Sequence, residues 1–332
     1  MKPFRLISTA AVCGALSFGV AACGDDEEPA ASGGGSGTQA AAGEDLSNLG
    51  GTIRIDGSST VQPFAEAAAE LFGEQAPNVR ISVGGAGTGD GFERFCRGEI
   101  DIADASRAIE AEEEEACKSG GVEFEEVQVA NDALAIVTNK ELQFPENCVT
   151  TDQLKQLLSP DSKITSYSEL GDGFPDEEAT FFTPGEESGT FDYFTDAVLE
   201  TDAAQRTENV QTSANDSQLV TGVSGTSGAL GYFGFSFANE NKEQLNILSV
   251  DGGDGCVAPS VEAAQDGSYK PLSRPIFMYP NTNKLAERPE LAAFKTFVIE
   301  NQQQIAEAAD IIPMTEEQAA ESQQKVEQAQ AG

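Results

Sequence analysis

TIRIDGSSTVQPFAEAAAELF, residues 52–72, is the stretch that decides the architecture. Thr52 to Ile55 is a short β-branched run and reads as a strand. Val61 to Phe72 carries apolar residues at helical spacing. Between them lies Asp56-Gly57-Ser58-Ser59-Thr60, a tight junction rich in small donors. The unit repeats in kind along the chain. Strands are expected at 79–83, 100–103, 122–129, 133–137, 180–183, 228–233, 245–250 and 275–279. Helices are expected through 92–95 and over 151–158, 189–199, 291–309 and 316–329. Such βαβ alternation implies an α/β fold with largely parallel sheets.

Two other junctions resemble the first. Residues 84–91 read GGAGTGDG and residues 184–190 read PGEESGT, each after an expected strand and before an expected helix. A helix start has unpaired N–H groups and a partial positive charge, so it holds an anion without basic side chains. Ser and Thr cap helices routinely, so one such junction means little; three in one chain point to a binding site. The nucleotide motifs fail. GxxxxGK[ST] is absent, and Asp90 stands where GxGxxG needs its third Gly.

Composition narrows the chemistry. The 332 residues hold 56 Asp and Glu against 19 Lys and Arg, a net charge of −37, with no His and no Trp. That charge argues against nucleic-acid binding. Without His there is no Ser-His-Asp or Cys-His arrangement and no His-ligated zinc; no metal site or cofactor is expected.

The N-terminus reads as an address. Lys2 and Arg5 precede an apolar run, Leu6 to Ala22, that ends at Val20-Ala21-Ala22-Cys23. A basic start, a short apolar core and small residues describe a secretory signal, and Cys23 so placed resembles the lipidated Cys of bacterial lipoproteins. Removing 1–22 deletes two positive charges and no acid, which takes the net charge from −37 to −39. Residues 23–50 read as the lipidated Cys and a flexible tether too poor in apolar side chains to pack. Four Cys remain: Cys96, Cys117, Cys148 and Cys256. An even count outside the cytoplasm suggests two disulfides, with three connectivities. The short loop favours Cys96–Cys117 and leaves Cys148–Cys256.

DGSSTVQPF (56–64), GEIDIADASRAI (98–109), PGEESGTFDYF (184–194), GALGYFGF (228–235) and KPLSRPIFMYP (270–280) occur in this order. Together they resemble the periplasmic phosphate-binding lipoproteins of phosphate-specific ABC transporters. The resemblance implies a two-lobed periplasmic-binding-protein fold with the ligand cleft between lobes: lobe I from 51–127 plus 274–332, lobe II from 128–273. It implies a non-catalytic receptor, generally monomeric, that captures inorganic phosphate and docks on a permease with its ATPase. Carried over by motif, the ligand donors are Ser59, Thr60, the Val61 amide, Thr88, Ser188, Gly189 and Thr190. In one branch of the family an Arg stands at the place of Pro184 and an Asp at that of Arg107. The swap makes Arg107 the first candidate for the cation, as a bidentate fork, and Arg274 the second. It leaves Asp56 or Asp132 to accept the phosphate proton that distinguishes phosphate from sulfate. The rival readings are a receptor for sulfate or molybdate, a phosphate-ester hydrolase using Ser59 or Ser188, and a surface sensor.

Overall fold

The computed structural model describes residues 46–186, 188–201, 203–213 and 215–331. The expected signal, Cys23 and the tether up to residue 45 lie outside them. A short 3-10 turn, Leu46–Asn48, opens the described chain, and Leu46 and Leu49 pack on the core. Among the described residues, no helix is long and apolar enough to cross a membrane.

The first region runs β1 (Gly50–Gly57), α1 (Gln62–Gln75), β2 (Asn78–Val83), α2 (Thr88–Cys96), β3 (Ile102–Ala105) and α3 (Ala111–Ser119). The long strand β4 (Val127–Asn139) leads into the second: β5 (Cys148–Thr150), α4 (Thr151–Leu158), β6 (Thr180–Thr183) and α5 (Gly189–Phe194). A π-helical turn, Thr195–Leu199, extends α5. Then come β7 (Val210–Thr212), α6 (Asp216–Gly225), β8 (Ala229–Gly234), α7 (Phe235–Glu240), β9 (Leu245–Ile247), β10 (Ser249–Asp251), β11 (Cys256–Val257) and α8 (Val261–Gln265). The chain returns through β12 (Ser273–Pro280) to α9 (Thr282–Leu285), α10 (Pro289–Ala308) and α11 (Glu316–Ala331).

One sheet has the order β2-β1-β3-β12-β4-β8-β6-β7, with β9 on β4; β11-β10-β5 form a second. Strand β4 joins the two halves. Its first part pairs antiparallel with β12, with Asp132 opposite Arg274, and its second part, from Leu134, pairs with β8. In the first half the sheet carries an apolar cluster on each face. Phe64 and Phe72 of α1 meet Phe294 and Phe297 of α10 on one side; Phe92, Phe95 and Tyr279 pack near Cys117 on the other. Phe72 lies edge-on to Phe294 at 5.3 Å and to Phe297 at 5.4 Å. Burying one such side chain contributes about 1.5–3 kcal/mol. The second half has its own cluster around Phe181, Phe194, Tyr232 and Phe233. The arrangement is two-lobed α/β.

Several elements differ from the sequence reading, and β5, β7, α6, α7, β11, α8 and α9 carry no expectation from it. The strands expected at 122–129 and 133–137 are one, because β12 supplies a ladder across polar Asn131 and Asp132. The strand expected at 245–250 breaks at Leu248, whose N–H bonds the Ile136 carbonyl, so β9 pairs with β4 and β10 with β5. The helix expected over 189–199 loosens into the π turn after Phe194. Helix α3 went unseen because it is acidic and buries little beyond Cys117; Glu110 and Glu113 cap it reciprocally. Two disulfides are present, Cys96–Cys117 and Cys148–Cys256, the pairing that the short loop favoured.

Candidate anion-binding cleft

All three Gly/Ser/Thr junctions open into one cleft of about 790 Å³ between the lobes. Ser58, Ser59 and Thr60 line it from the turn before α1, Ala86 to Asp90 from the start of α2, and Gly189 from the start of α5. Each junction is shaped by its residues. Ser58 N–H bonds the Asp104 carbonyl at 2.8 Å, and the Ser58 carbonyl then takes the N–H of Gln62 at 3.0 Å, which starts α1. Gly87 caps α2 at φ 104°, a backbone conformation that favours glycine. Ser188 caps α5, its hydroxyl accepting the Thr190 N–H at 3.3 Å.

Gly189 shows how closely the lobes meet. A Cβ there would stand 2.5 Å from Ser59 Oγ, 2.5 Å from Thr60 N and 2.7 Å from Thr60 Oγ1. The first and third junctions, about 130 residues apart in sequence, are therefore in contact. Thr88 of the second junction lines the same cleft, its hydroxyl 3.2 Å from that of Ser106, which also lines it.

The cations are arranged differently from the expectation. Arg107 does line the cleft, but its fork is already held: Nη1 and Nη2 donate to the two oxygens of Glu113 at 2.8 and 2.9 Å, and Nε lies 3.3 Å from Glu110. Arg274 is the deeper one. It crosses from β12 to donate to Thr60 Oγ1 at 2.9 Å, and its guanidinium lies 3.5 Å from the Tyr193 ring centre. Asp132, opposite it in the ladder, is 3.5 Å from its Nε. Burial pulls the Arg274 pKa down, opposed first by Asp132. Arg274 thus touches the first half of the sheet's surroundings through Thr60 and the second through Tyr193, beside the strand that joins them.

The carboxylates also move. Asp56 is fully engaged: it takes Arg94 in an ion pair and the N–H groups of Gly57 and Ala86 at 2.9 and 3.1 Å. Asp132 opens on a second cavity, of about 170 Å³, beside Asp216 and Ala309 to Ile312. Neither lines the cleft; Asp90, Asp192, Asp196 and Glu200 do. Asp192 lies on α5 with Gly189 and Tyr193; burial raises its carboxyl above the usual range and Arg274 opposes the shift. Sequence reading passed over Asp192, yet it stands four residues after Ser188, one helical turn on the same face. The Val61 amide, expected to face the ligand, bonds the Ser58 carbonyl at 3.1 Å, and the Val61 side chain is fully buried. Tyr193 is buried and presents its ring to Arg274.

The profile of the PBP superfamily domain matches residues 30–302. A phosphate-binding protein PstS of Staphylococcus saprophyticus is 31% identical over 98% of this chain and 95% of its own. The chain belongs to the PstS-like branch of the PBP superfamily. Two solved structures agree. That of a possible phosphate-binding protein from Planctomyces limnophilus has 38% identity and a TM-score of 0.78, covering 85% of this chain and 99% of the other. A phosphate ABC transporter substrate-binding protein from Clostridium perfringens, solved with bound phosphate, has 29% identity and a TM-score of 0.58 over 80% of this chain and all of the other.

Proposed function

We propose that this PstS-like chain captures inorganic phosphate outside the cytoplasm and delivers it to an ABC importer. The observation that carries the reading is the convergence of three donor-rich junctions and Arg274 on one cleft. Neutral N–H and O–H groups with a single deep cation suit one small tetrahedral anion, and the relatives from Staphylococcus saprophyticus and Clostridium perfringens are phosphate-binding proteins. Ser59, Thr60, Thr88, Ser188, Gly189 and Thr190 are the donors. Arg274 supplies the charge, and Arg107 serves the rim.

Asp192 takes the phosphate proton in this reading. Sulfate has no such proton, so its oxygen would face a carboxylate with an unmet acceptor, at a cost of about 1–3 kcal/mol or more. The chain is held at the membrane's outer face by a lipid on Cys23, works as a monomer and catalyses nothing. A hydrolase using Ser188 gains no support, since that hydroxyl already caps α5. Calorimetry with phosphate and sulfate tests the reading: phosphate should bind at least tenfold more tightly, and equal affinity for sulfate would sink it.

A further inference from the structure

Asp104 differs from the other carboxylates among the described residues. Its side chain is wholly buried, and neither of its oxygens has a hydrogen-bond partner. An acid so placed is costly, and one beside a binding site calls for an explanation. Its neighbours on β3 define its side of the sheet. Ile102 joins the cluster under α1, whereas Ala103 and Ala105 join the one near α2, so alternation sets Asp104 on the α1 side. Its main chain is part of the first junction. Its carbonyl holds the Ser58 N–H at 2.8 Å, and Gly57 lies opposite in register, pressed so close that a Cβ would stand 2.1 Å from that carbonyl oxygen.

The charges around it are few. Strand β1 contributes Asp56, itself held by Arg94 of α2, and β12 places uncharged Met278 opposite. The Ser58–Thr60 turn has no ionisable group, while Arg274 reaches Thr60 from the cleft side. Burial, and then Asp56, push the Asp104 carboxyl well above the usual range.

We propose that Asp104 is a positioning residue that couples a proton to anion affinity. Neutral, it leaves the Ser58–Thr60 donors to the cleft; ionised, it sets a negative charge against the same turn and weakens anion binding there. The inference rests on the phosphate reading of the cleft.

Calorimetry with inorganic phosphate from pH 5 to 9.5, on the parent and on Asp104→Asn, tests it. The ratio of the two Kd values cancels phosphate's own titration. The ratio should be near one at pH 5, with the parent weaker by about tenfold at the alkaline end. A flat ratio in a phosphate-binding parent overturns the proposal alone, even if melting temperatures differ. A parent that binds no phosphate at any pH overturns the phosphate reading and the proposal together. Melts without ligand give a second readout. A carboxyl raised on folding takes up a proton, so the parent should lose stability relative to the variant as pH rises above the ordinary Asp range. Parallel melts would show that Asp104 does not titrate there, and would also overturn the proposal. Asp104→Ala repeats the series should the Asn variant fail to fold.

Discussion

Arg107 and Arg274 face the same cleft and differ in what surrounds them. Arg107 is 38% exposed at the side chain, with Glu113 and Glu110 filling its fork. Arg274 is 15% exposed, lies on an aromatic ring, and has Asp132 at 3.5 Å from its Nε. A charge already matched by two carboxylates has little left to offer an incoming anion. One held at the crossing strands, with a hydroxyl and a ring as its other contacts, keeps its field directed into the cleft, where low dielectric strengthens it. Burial and pairing, more than the type of side chain, separate a structural cation from a binding one.

The contrast can be broken most directly at Arg274. Arg274→Ala should weaken phosphate binding on the order of 100-fold, the loss expected for charged hydrogen bonds worth about 3 kcal/mol. An affinity within threefold of the parent by calorimetry would return Arg107 to first place. Gly189→Ala comes next. Its new methyl would press on Ser59 and Thr60 from the other lobe, so closure should be hindered and Kd should rise about 30-fold, as overpacking of about 2 kcal/mol implies. Unchanged circular dichroism together with a larger radius of gyration in phosphate would place the effect at closure.

Asp192→Asn sharpens the comparison by removing an acid of the cleft lining whose carboxyl feels the charge of Arg274. The preference for phosphate over sulfate should shrink about tenfold, through better sulfate binding as well as weaker phosphate binding. A preserved preference would remove Asp192 as the proton acceptor. The smallest effect belongs to Arg107→Ala. Its partly exposed pairs contribute about 0–1 kcal/mol, so phosphate Kd should change less than threefold, with a slight fall in melting temperature as α3 loses support.

Asp56 and Asp104 lie on neighbouring strands and repeat the lesson for acids. Asp56 has a cation and two N–H groups; the carboxyl of Asp104 has no hydrogen-bond partner. In sequence they are Asp-Gly-Ser-Ser and Ala-Asp-Ala-Ser, and only the first draws attention. The signal for the second was there, an acid in an otherwise apolar strand, but a strand pattern does not say whether a partner waits on the buried face.

The sequence by itself determined the α/β alternation, the three junctions and the family, because periodicity, turn residues and caps act over a few residues. It also placed α4 and β6 with their boundaries. Tertiary structure alone decided which junctions touch, which arginine has its fork filled by glutamates, and which acids face the cleft. Those outcomes depend on β12 returning beside β4 after more than 130 residues, which brings Arg274 to Asp132 and Thr60. The physical reason is range. Local propensity is written in neighbours, whereas the field and the burial that tune a binding group come from residues far along the chain.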